Sequence, residues 1–515
     1  MTVDRTVRAG ARQWVGLGLL ALPTVLLGLD VTVLYLAAPS MAADLSPSAT
    51  QLLWIMDAYG FLIAGFLITM GTLGDRIGRR RLLMTGMAAF AVASVFAASA
   101  PTAELLILAR ALLGVAGATL MPSTLSLISN MFPDARHRAV AIGVWATMFA
   151  LGMAAGPVVG GLLVDAFWWG AAFLLAVPVA VVVLASARAL LPEHADPSAG
   201  RLDLSSVGLS LAAILPLVYA VKHLAAHGPD ARAVAFAGVG ALAGVVFLRR
   251  QRRLTDPLLD VRLFGDRAFT AALAVLLIGL VGVGGSMYLV TQYLQLVEGL
   301  TPFAAGLWMG PPALAMFAAA IGAPLIARRI RPGDVMAATL GISLIGYALL
   351  ATAGLGDQVA VALGFAFVYL GLGAIAALGT DMVVGAAPSS KSGSAASLSE
   401  TVQELGIAVG VALLGSLTTA VYRAHLPILP DGLPPDAAHA VTDSLGATVS
   451  LADDLPAGVV ESAQRAFTTG LNVASLVAGA AIAAAGLLCL SRLRHVRPLG
   501  QPQPQSAPAD ADVSA

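Results

Sequence analysis

The sequence predicts an all-α polytopic membrane protein with fourteen transmembrane helices, and three observations predict it. Of the 515 residues, 58% are hydrophobic and only 11% are charged. The mean hydropathy is +0.87, far above that of a water-soluble chain of this length. Apolar runs of about 20 residues, the length that crosses the hydrocarbon core, recur fourteen times.

The same composition excludes several function classes. A formal net charge of +0 and a pI near 7.1 do not suit a nucleic-acid binder, and no basic stretch is interleaved with aromatics. Cys489 stands alone, so neither a disulfide framework nor a cysteine metal site is available. The seven histidines (His137, His194, His223, His227, His425, His439 and His495) fall in or beside polar connections, which leaves no intramembrane His base or ligand cluster. No metal or cofactor is expected.

The first six spans are expected at Gln13 to Ala38, Gln51 to Leu73, Leu82 to Ala100, Glu104 to Ser126, Ala139 to Val164 and Trp169 to Leu191. The first follows Arg5, Arg8 and Arg12 as a signal peptide would. It is long, however, contains Asp30, and carries Pro39 where cleavage would fall, which marks a retained span. Two more spans run from Leu204 to Val221 and Ala231 to Leu248. The last six run from Ala268 to Tyr293, Phe303 to Ala327, Asp334 to Ala353, Gln358 to Gly379, Gly393 to Val421 and Ala466 to Leu490. The organisation is therefore an N-terminal segment (1–12), a six-helix bundle (13–191), an inserted pair (204–248), a linker (249–267), a second six-helix bundle (268–491) and a tail (492–515). Within the second bundle a long connection (422–465) is either a structured flap or disordered. The tail is Pro-, Ala- and Asp-rich and is expected to be flexible.

With the N-terminus placed in the cytoplasm, 24 of the 29 Lys and Arg residues fall on the cytoplasmic side. Lys222, Arg232, Arg423 and Arg465 fall outside, and Arg110 alone lies within a span. This bias predicts a multi-pass protein of a bacterial cytoplasmic (inner) membrane with both termini cytoplasmic. An internal echo joins the two bundles: Leu45-Ser46-Pro47-Ser48-Ala49 enters the second span and Leu300-Thr301-Pro302-Phe303-Ala304 the tenth. Both of those spans end on a basic turn, Arg76-Ile77-Gly78-Arg79 and Arg328-Arg329-Ile330-Arg331. Repeated halves suggest alternating access about a midplane site.

Gly71-Thr72-Leu73-Gly74-Asp75-Arg76-Ile77-Gly78-Arg79-Arg80-Arg81 closes the second span with a tight, charged turn. It resembles the loop signature G-x-L-x-D-R-x-G-R-R of the major facilitator superfamily, which implies the major facilitator fold and a gate-latching charge network at Gly71, Gly74, Asp75, Arg76, Gly78, Arg79 and Arg80. The fifth span carries Gly152, Gly156, Pro157, Gly160 and Gly161, small residues at four-residue spacing that allow close helix approach. That run is similar to the antiporter signature G-x-x-x-G-P-x-x-G-G of drug exporters. Arg110 to Gly117 resembles the superfamily motif whose Arg is linked to proton transfer. Leu29-Asp30-Val31-Thr32-Val33 with Ala38-Pro39, and Trp54-Ile55-Met56-Asp57-Ala58-Tyr59, narrow the resemblance to 14-helix drug/proton antiporters of the QacA, SmvA and LfrA type, and it covers nearly the whole chain.

The acids have a physical reading of their own. A carboxyl near the centre of a span costs about 2.5–3.5 kcal/mol on insertion scales and is not retained without use. Asp30 lies some eight residues and Asp57 some six from the outer ends of their expected spans, which puts both at similar depth, able to line one cavity. Proton and organic cation exclude one another at such a group, and that competition is the chemistry of antiport. In the thirteenth span Glu400 and Glu404 are one turn apart and share a face with Ser397. Two carboxylates so close resist double ionisation. The tenth span carries no acid, a departure within this type that speaks against tight binding of divalent cations.

Trp54, Tyr59, Trp145, Met148, Met287 and Tyr288 suit flat lipophilic cations through stacking and polarisable contact. Together with the resemblance, these readings imply proton coupling at Asp30, Arg110 and Glu404, and substrate contact at Asp57, Glu400, Trp54, Tyr59, Met148 and Tyr288. The expected function is proton-gradient-driven export of lipophilic cations such as quaternary ammonium compounds, dyes or fluoroquinolones by a monomer in the bilayer. Three rivals are an exporter of an endogenous metabolite or lipid, a passive channel and, remotely, a membrane-embedded enzyme. The last lacks a GxSxG elbow, a Walker loop and a metal cluster.

Overall fold

Polar punctuation sets where the helices begin. Ser48 accepts from the Gln51 amide while the Gln51 side chain accepts from the Ser48 amide, a reciprocal cap that starts the second helix. Thr102, Asp134, Asp203, Asp230, Asp266 and Thr301 cap later helices in the same way, each accepting from the amide three residues on. The computed structural model describes residues 10–132, 134–193, 195, 203–228, 230–254, 257, 261–386, 392–427, 430 and 433–498. Arg5, Arg8, His194, Arg201, Lys391 and the tail from residue 499, all used in the sequence reading, lie outside the described residues.

Among the described residues, 14 helices are long and apolar enough to cross a membrane, and no strand is present. In the first six spans these are α1 (Ala11–Leu45), α2 (Ala49–Ile77), α3 (Arg79–Ala98), α4 (Ala103–Met131), α5 (Ala135–Ala166) and the broken pair α6 (Ala171–Leu174) and α7 (Ala176–Leu190). The inserted pair is α8 (Leu204–His227) and α9 (Ala231–Gln251). In the last six, α10 (Arg267–Gln292) ends in a widened turn over Tyr293–Val297. A second broken span, α11 (Pro302–Trp308) and α12 (Gly310–Ala327), comes next. It is followed by α13 (Pro332–Ala351), α14 (Gln358–Ala386), α15 (Ser392–His425) and, after the loop helices α16 (Pro435–Asp443) and α17 (Leu445–Ser450), by α18 (Val459–Arg492). Successive crossings give two faces: a termini face, with residue 10 and residue 493, and a loop face, with residues 426–458.

The packing repeats. In the first set α1 lies on α5, α2 on α4, and α3 on α4 and α7; in the second α10 lies on α15, α12 on α14, and α13 on α14 and α18. The two sets meet along two seams that the repeat makes equivalent, α2 against α15 and α11–α12 against α5. The sequence echo is offset by two residues, because Ser48 caps α2 whereas Thr301, aligned with Ser46, caps α11.

Three expectations are corrected, and one alternative that the sequence left open is decided by the structure. α1 continues through Pro39 to Leu45, seven residues beyond its expected end, because membrane helices tolerate proline and its last turns pack against α6 and α17. Asp30 therefore lies fifteen residues from the end of its helix and Asp57 eight from the start of its own, rather than eight and six. The connection expected over 422–465 is shorter, since α15 reaches His425 and α18 begins at Val459. It is also structured: the Tyr422 hydroxyl donates to the Val441 carbonyl at 2.7 Å, and Arg423 pairs with Asp443 at 2.8 Å.

α8 lies across the α2–α15 seam and α9 packs on α8. Val218 of α8 joins Phe61 of α2 and Ala408 and Ala412 of α15 in one buried apolar cluster. The pair is clamped at both ends. Near the loop face, His223 bonds Asp230 at 2.9 Å. Near the termini face, Arg250 pairs with Asp203 at 2.8 Å, and Gln251 donates to Ser206. Partial burial works to raise the Asp203 carboxyl, but hydrogen bonds from Arg250 and Ser206 outweigh it and hold the group below its ordinary 3.8.

Candidate functional site

A guanidinium inside a span needs anionic and carbonyl partners, and its fork of donors can take several at once. Arg110 of α4, 3% exposed, finds three elements. Its Nη1 pairs with Asp30 Oδ2 of α1 at 3.2 Å, its Nε donates to the Ile55 carbonyl of α2 at 3.1 Å, and its plane covers the Tyr59 ring at 4.5 Å. Phe173 of α6 stands on the other side at 5.9 Å. Gly114, one turn along α4, makes this approach possible, because a Cβ there would strike the Tyr59 backbone. Arg110 thus bridges Asp30 to the segment of α2 that holds Asp57, and the two acids share one neighbourhood despite their different distances from the helix ends.

Asp57 is buried on α2, and its charge acts on Tyr35 of α1 and Tyr288 of α10. Glu404 of α15 is buried and acts on Tyr35, Tyr59 and, one turn away, the half-buried Glu400. α15 comes this close because Gly60 of α2 leaves room for Ala408 and the Glu404 carbonyl. The structure therefore puts Asp30, Tyr59 and Arg110 in contact, with Glu404 within electrostatic reach of Asp30 and Tyr59, Glu400 one turn from Glu404, and Asp57 two residues from Tyr59 on α2, more carboxyls than Arg110 pairs with. In an apolar setting the surplus carboxyls are stable only with a proton or a cation beside them.

The other sequence candidates separate. Trp54 packs edge-on to Phe61 at 6.4 Å, against the α8 cluster rather than beside Arg110. Trp145 donates to Thr124 at 3.0 Å and ties α5 to α4, with Met148 half-buried further along α5. Met287 accepts from the Tyr369 hydroxyl at 3.2 Å. Tyr288 lines a cavity under the loop helices.

The two glycine motifs do different work. Gly152, Gly156 and Gly160 of α5 face Val25, Thr32 and Val33 of α1, and a Cβ at any of them would meet α1. Gly161 faces the Pro302 carbonyl of α11, and Gly306 of α11 faces the Pro157 carbonyl in return, which makes this seam backbone on backbone. At the termini face Gly71 packs loosely near Pro122, and Gly74 makes room for the Arg79 side chain. Asp75 pairs with Arg79 at 2.5 Å, and Arg79 reaches toward the Pro122 carbonyl of α4 at 3.5 Å. Gly78 turns the chain at φ +106°, where a Cβ would collide with the Glu193 carboxylate. Glu193, after α7, accepts from the Arg80 amide at 3.1 Å and stands 3.5 Å from its guanidinium, while Arg76 is exposed.

Sequence reasoning missed Glu193 and Tyr35. Glu193 had a signal, an acid in a connection on the same face as the basic turn, but its partner is 113 residues distant. Tyr35 had a weaker one, a tyrosine in a span five residues after Asp30. Among the described residues no cluster of His, Cys, Asp and Glu has metal-site geometry.

Comparison with known proteins agrees with this architecture. The family model of the Major Facilitator Superfamily matches residues 20–411. The chain is 43% identical over 485 residues to the multidrug efflux pump LfrA of Mycolicibacterium smegmatis, covering 93% of this chain and 96% of LfrA. It is 34% identical over 477 residues to the methyl viologen resistance protein SmvA of Salmonella typhimurium, covering 91% and 96%. Among solved structures, a bacterial homologue of the human lysosomal transporter Spinster, inward-facing and unoccupied, superposes with a TM-score of 0.64 at 17% identity over 94% of this chain and 99% of its own. With fourteen spans, a repeated six-helix packing and these relatives, the chain is a multi-pass membrane transporter, not an enzyme, and it belongs to the Major Facilitator Superfamily, in the branch that holds LfrA and SmvA.

Proposed function

We propose that this protein is a proton-coupled exporter of lipophilic organic cations that works by alternating access, as a monomer with both termini in the cytoplasm. The observation that carries the reading is the buried Arg110–Asp30 pair set against Glu404 of the facing bundle. Arg110 pairs with Asp30, so Glu400 and Glu404, one turn apart on the facing helix, each hold a proton or stand beside a cation. A proton arriving from the loop face then releases the cation, and a cation arriving from the termini face releases the proton. Asp30, Arg110 and Glu404 handle the proton, and Asp57, Glu400, Tyr59 and Tyr288 form the cation's walls. That LfrA is a multidrug efflux pump and SmvA a methyl viologen resistance protein supports this reading, as does the excess of Arg on the termini face.

The test is ethidium transport in proteoliposomes under an imposed pH gradient, wild type beside Asp30→Asn. The wild type is expected to move ethidium uphill and the variant to lose the gradient-driven component. Full gradient-driven transport by the variant would remove Asp30 from coupling.

A further inference from the structure

We propose that the cavity beneath the loop helices is a water-holding proton-entry site that leads from the loop face to Asp57; the inference rests on the proton-coupled reading above. The cavity measures about 50 Å³, room for roughly three to five waters at 10–15 Å³ each. All three parts of the molecule build it. Ala42, Ala49 and Leu52 come from the first bundle, Tyr288, Gln292 and Thr419 from the second, and Ser444 to Gly446 form the roof.

Two observations make this a site for water rather than a packing gap. Gln292 lines the cavity at 3% exposure, and its amide nitrogen has no hydrogen-bond partner among the described residues. A buried amide donor without a partner costs about 1–3 kcal/mol, and a water held there removes that cost. The assignment of the amide's nitrogen and oxygen follows from the bonding pattern, and either atom can hold a water. The cavity also ends where the charge begins. Tyr288 forms part of its wall and lies in the field of Asp57. Leu53, one turn before Asp57 on α2, packs with the Tyr288 ring around Gly415, so the cavity stops about one helical turn, roughly 6 Å, short of Asp57.

At the rim Asp443 accepts from the Ala49 amide and from Arg423, both at 2.8 Å, and so holds the roof across both bundles. The ionisable groups along the way are Asp443 and Arg423 at the rim, Tyr422 and Tyr288 on the walls, and Asp57 with Tyr35 at the inner end. A hydronium at the rim gives up one proton, each water breaks one O–H bond as it forms the next, and, once the Leu53–Tyr288 contact parts to let waters span the last turn, the last O–H bond forms on an Asp57 oxygen as the cation beside it leaves. A neutral water remains at the rim. The roof excludes a large organic cation while admitting the proton.

Radiolytic hydroxyl labelling reads buried water directly and does not depend on transport. Tyr288 is expected to label about tenfold faster than Tyr369, a similarly buried tyrosine whose hydroxyl is satisfied by Met287. Gln292→Leu, which removes the amide and leaves an apolar wall that no longer holds water, should bring Tyr288 down to the Tyr369 rate. It should also cut gradient-driven ethidium transport about tenfold while ethidium–ethidium exchange at equal pH stays at the wild-type level. Wild-type Tyr288 labelling no faster than Tyr369 would overturn the proposal, as would undiminished gradient-driven transport by Gln292→Leu. If that variant loses both transport modes, Gln292→Ser decides: recovery of gradient-driven transport supports the site, and persistent loss with Tyr288 still labelled overturns it. A wild type that ignores the pH gradient would instead sink the coupled reading, with Tyr288 labelling still reporting whether the cavity is wet.

Discussion

The two seams between the bundles occupy equivalent places in the repeat, yet they are made of different chemistry. Where α11 meets α5, Gly161 and Gly306 bring backbone to backbone against Pro302 and Pro157. Where α2 meets α15, Gly60 admits α15 closely enough that Glu404 shares a neighbourhood with Tyr59 and Asp30, and α8 closes the outside of the joint. The repeat fixes the geometry of both seams, and among the described residues the buried acids, Asp57 and Glu404, stand on the helices of only one of them. On the proposed function, the glycine seam acts as a pivot indifferent to charge and the acidic seam is where protonation enters the movement.

The largest effect is expected from breaking the pivot. Gly161→Leu places a side chain against the Pro302 carbonyl, backbone that cannot yield as a flexible side chain would. A loss of about 3 kcal/mol and of all transport is expected, read by thermal unfolding in detergent and by ethidium efflux. A fully active, stable variant would show that the close approach is not needed. Glu404→Gln sharpens the contrast from the other side. It should lower the response of efflux to a pH gradient about tenfold while shifting stability by less than about 1 kcal/mol; an unaltered gradient response would strip the acidic seam of its role. The smallest effect lies outside both seams, at the clamp of the inserted pair. Asp203→Asn should cost about 1 kcal/mol or less at neutral pH, because the pair is partly exposed. The folded carboxyl is held below 3.8, so the wild type's advantage is complete above 3.8 and fades as the pH falls through the lowered value. Melting curves of both proteins between neutral pH and the acid limit of folding check the sign.

Much of the fold was legible because a bilayer demands long apolar helices, and their number and order can be read directly from the chain. The acids of the site stood out for the same reason: a carboxyl such as Asp30 or Glu404 in an apolar run has no bland explanation. Partners were not legible. Nothing local to Arg110 says that its anion lies 80 residues earlier, and nothing local to Gly78 says that Glu193 will face it. The position of α8 was hidden by its own composition, since a helix apolar on every side carries no stripe to show which neighbours it covers. Trp54, which looked like a wall of the binding site, belongs instead to the contact with that helix. The loop helices were ambiguous because their anchoring depends on Asp443 meeting Ala49, almost four hundred residues away.

Because α8 and α9 begin and end on the same face, a chain joined directly from residue 203 to residue 252 would remain topologically sound. It would nonetheless leave Phe61, Ala408 and Ala412 bare along the crease between the bundles. On the proposed alternating-access cycle, acyl chains would occupy that crease in place of Val218, and every rocking stroke would then have to expel and readmit fluid lipid. The two additional helices are in this sense a permanent gasket, and a shortened transporter would pay for its economy in leakage.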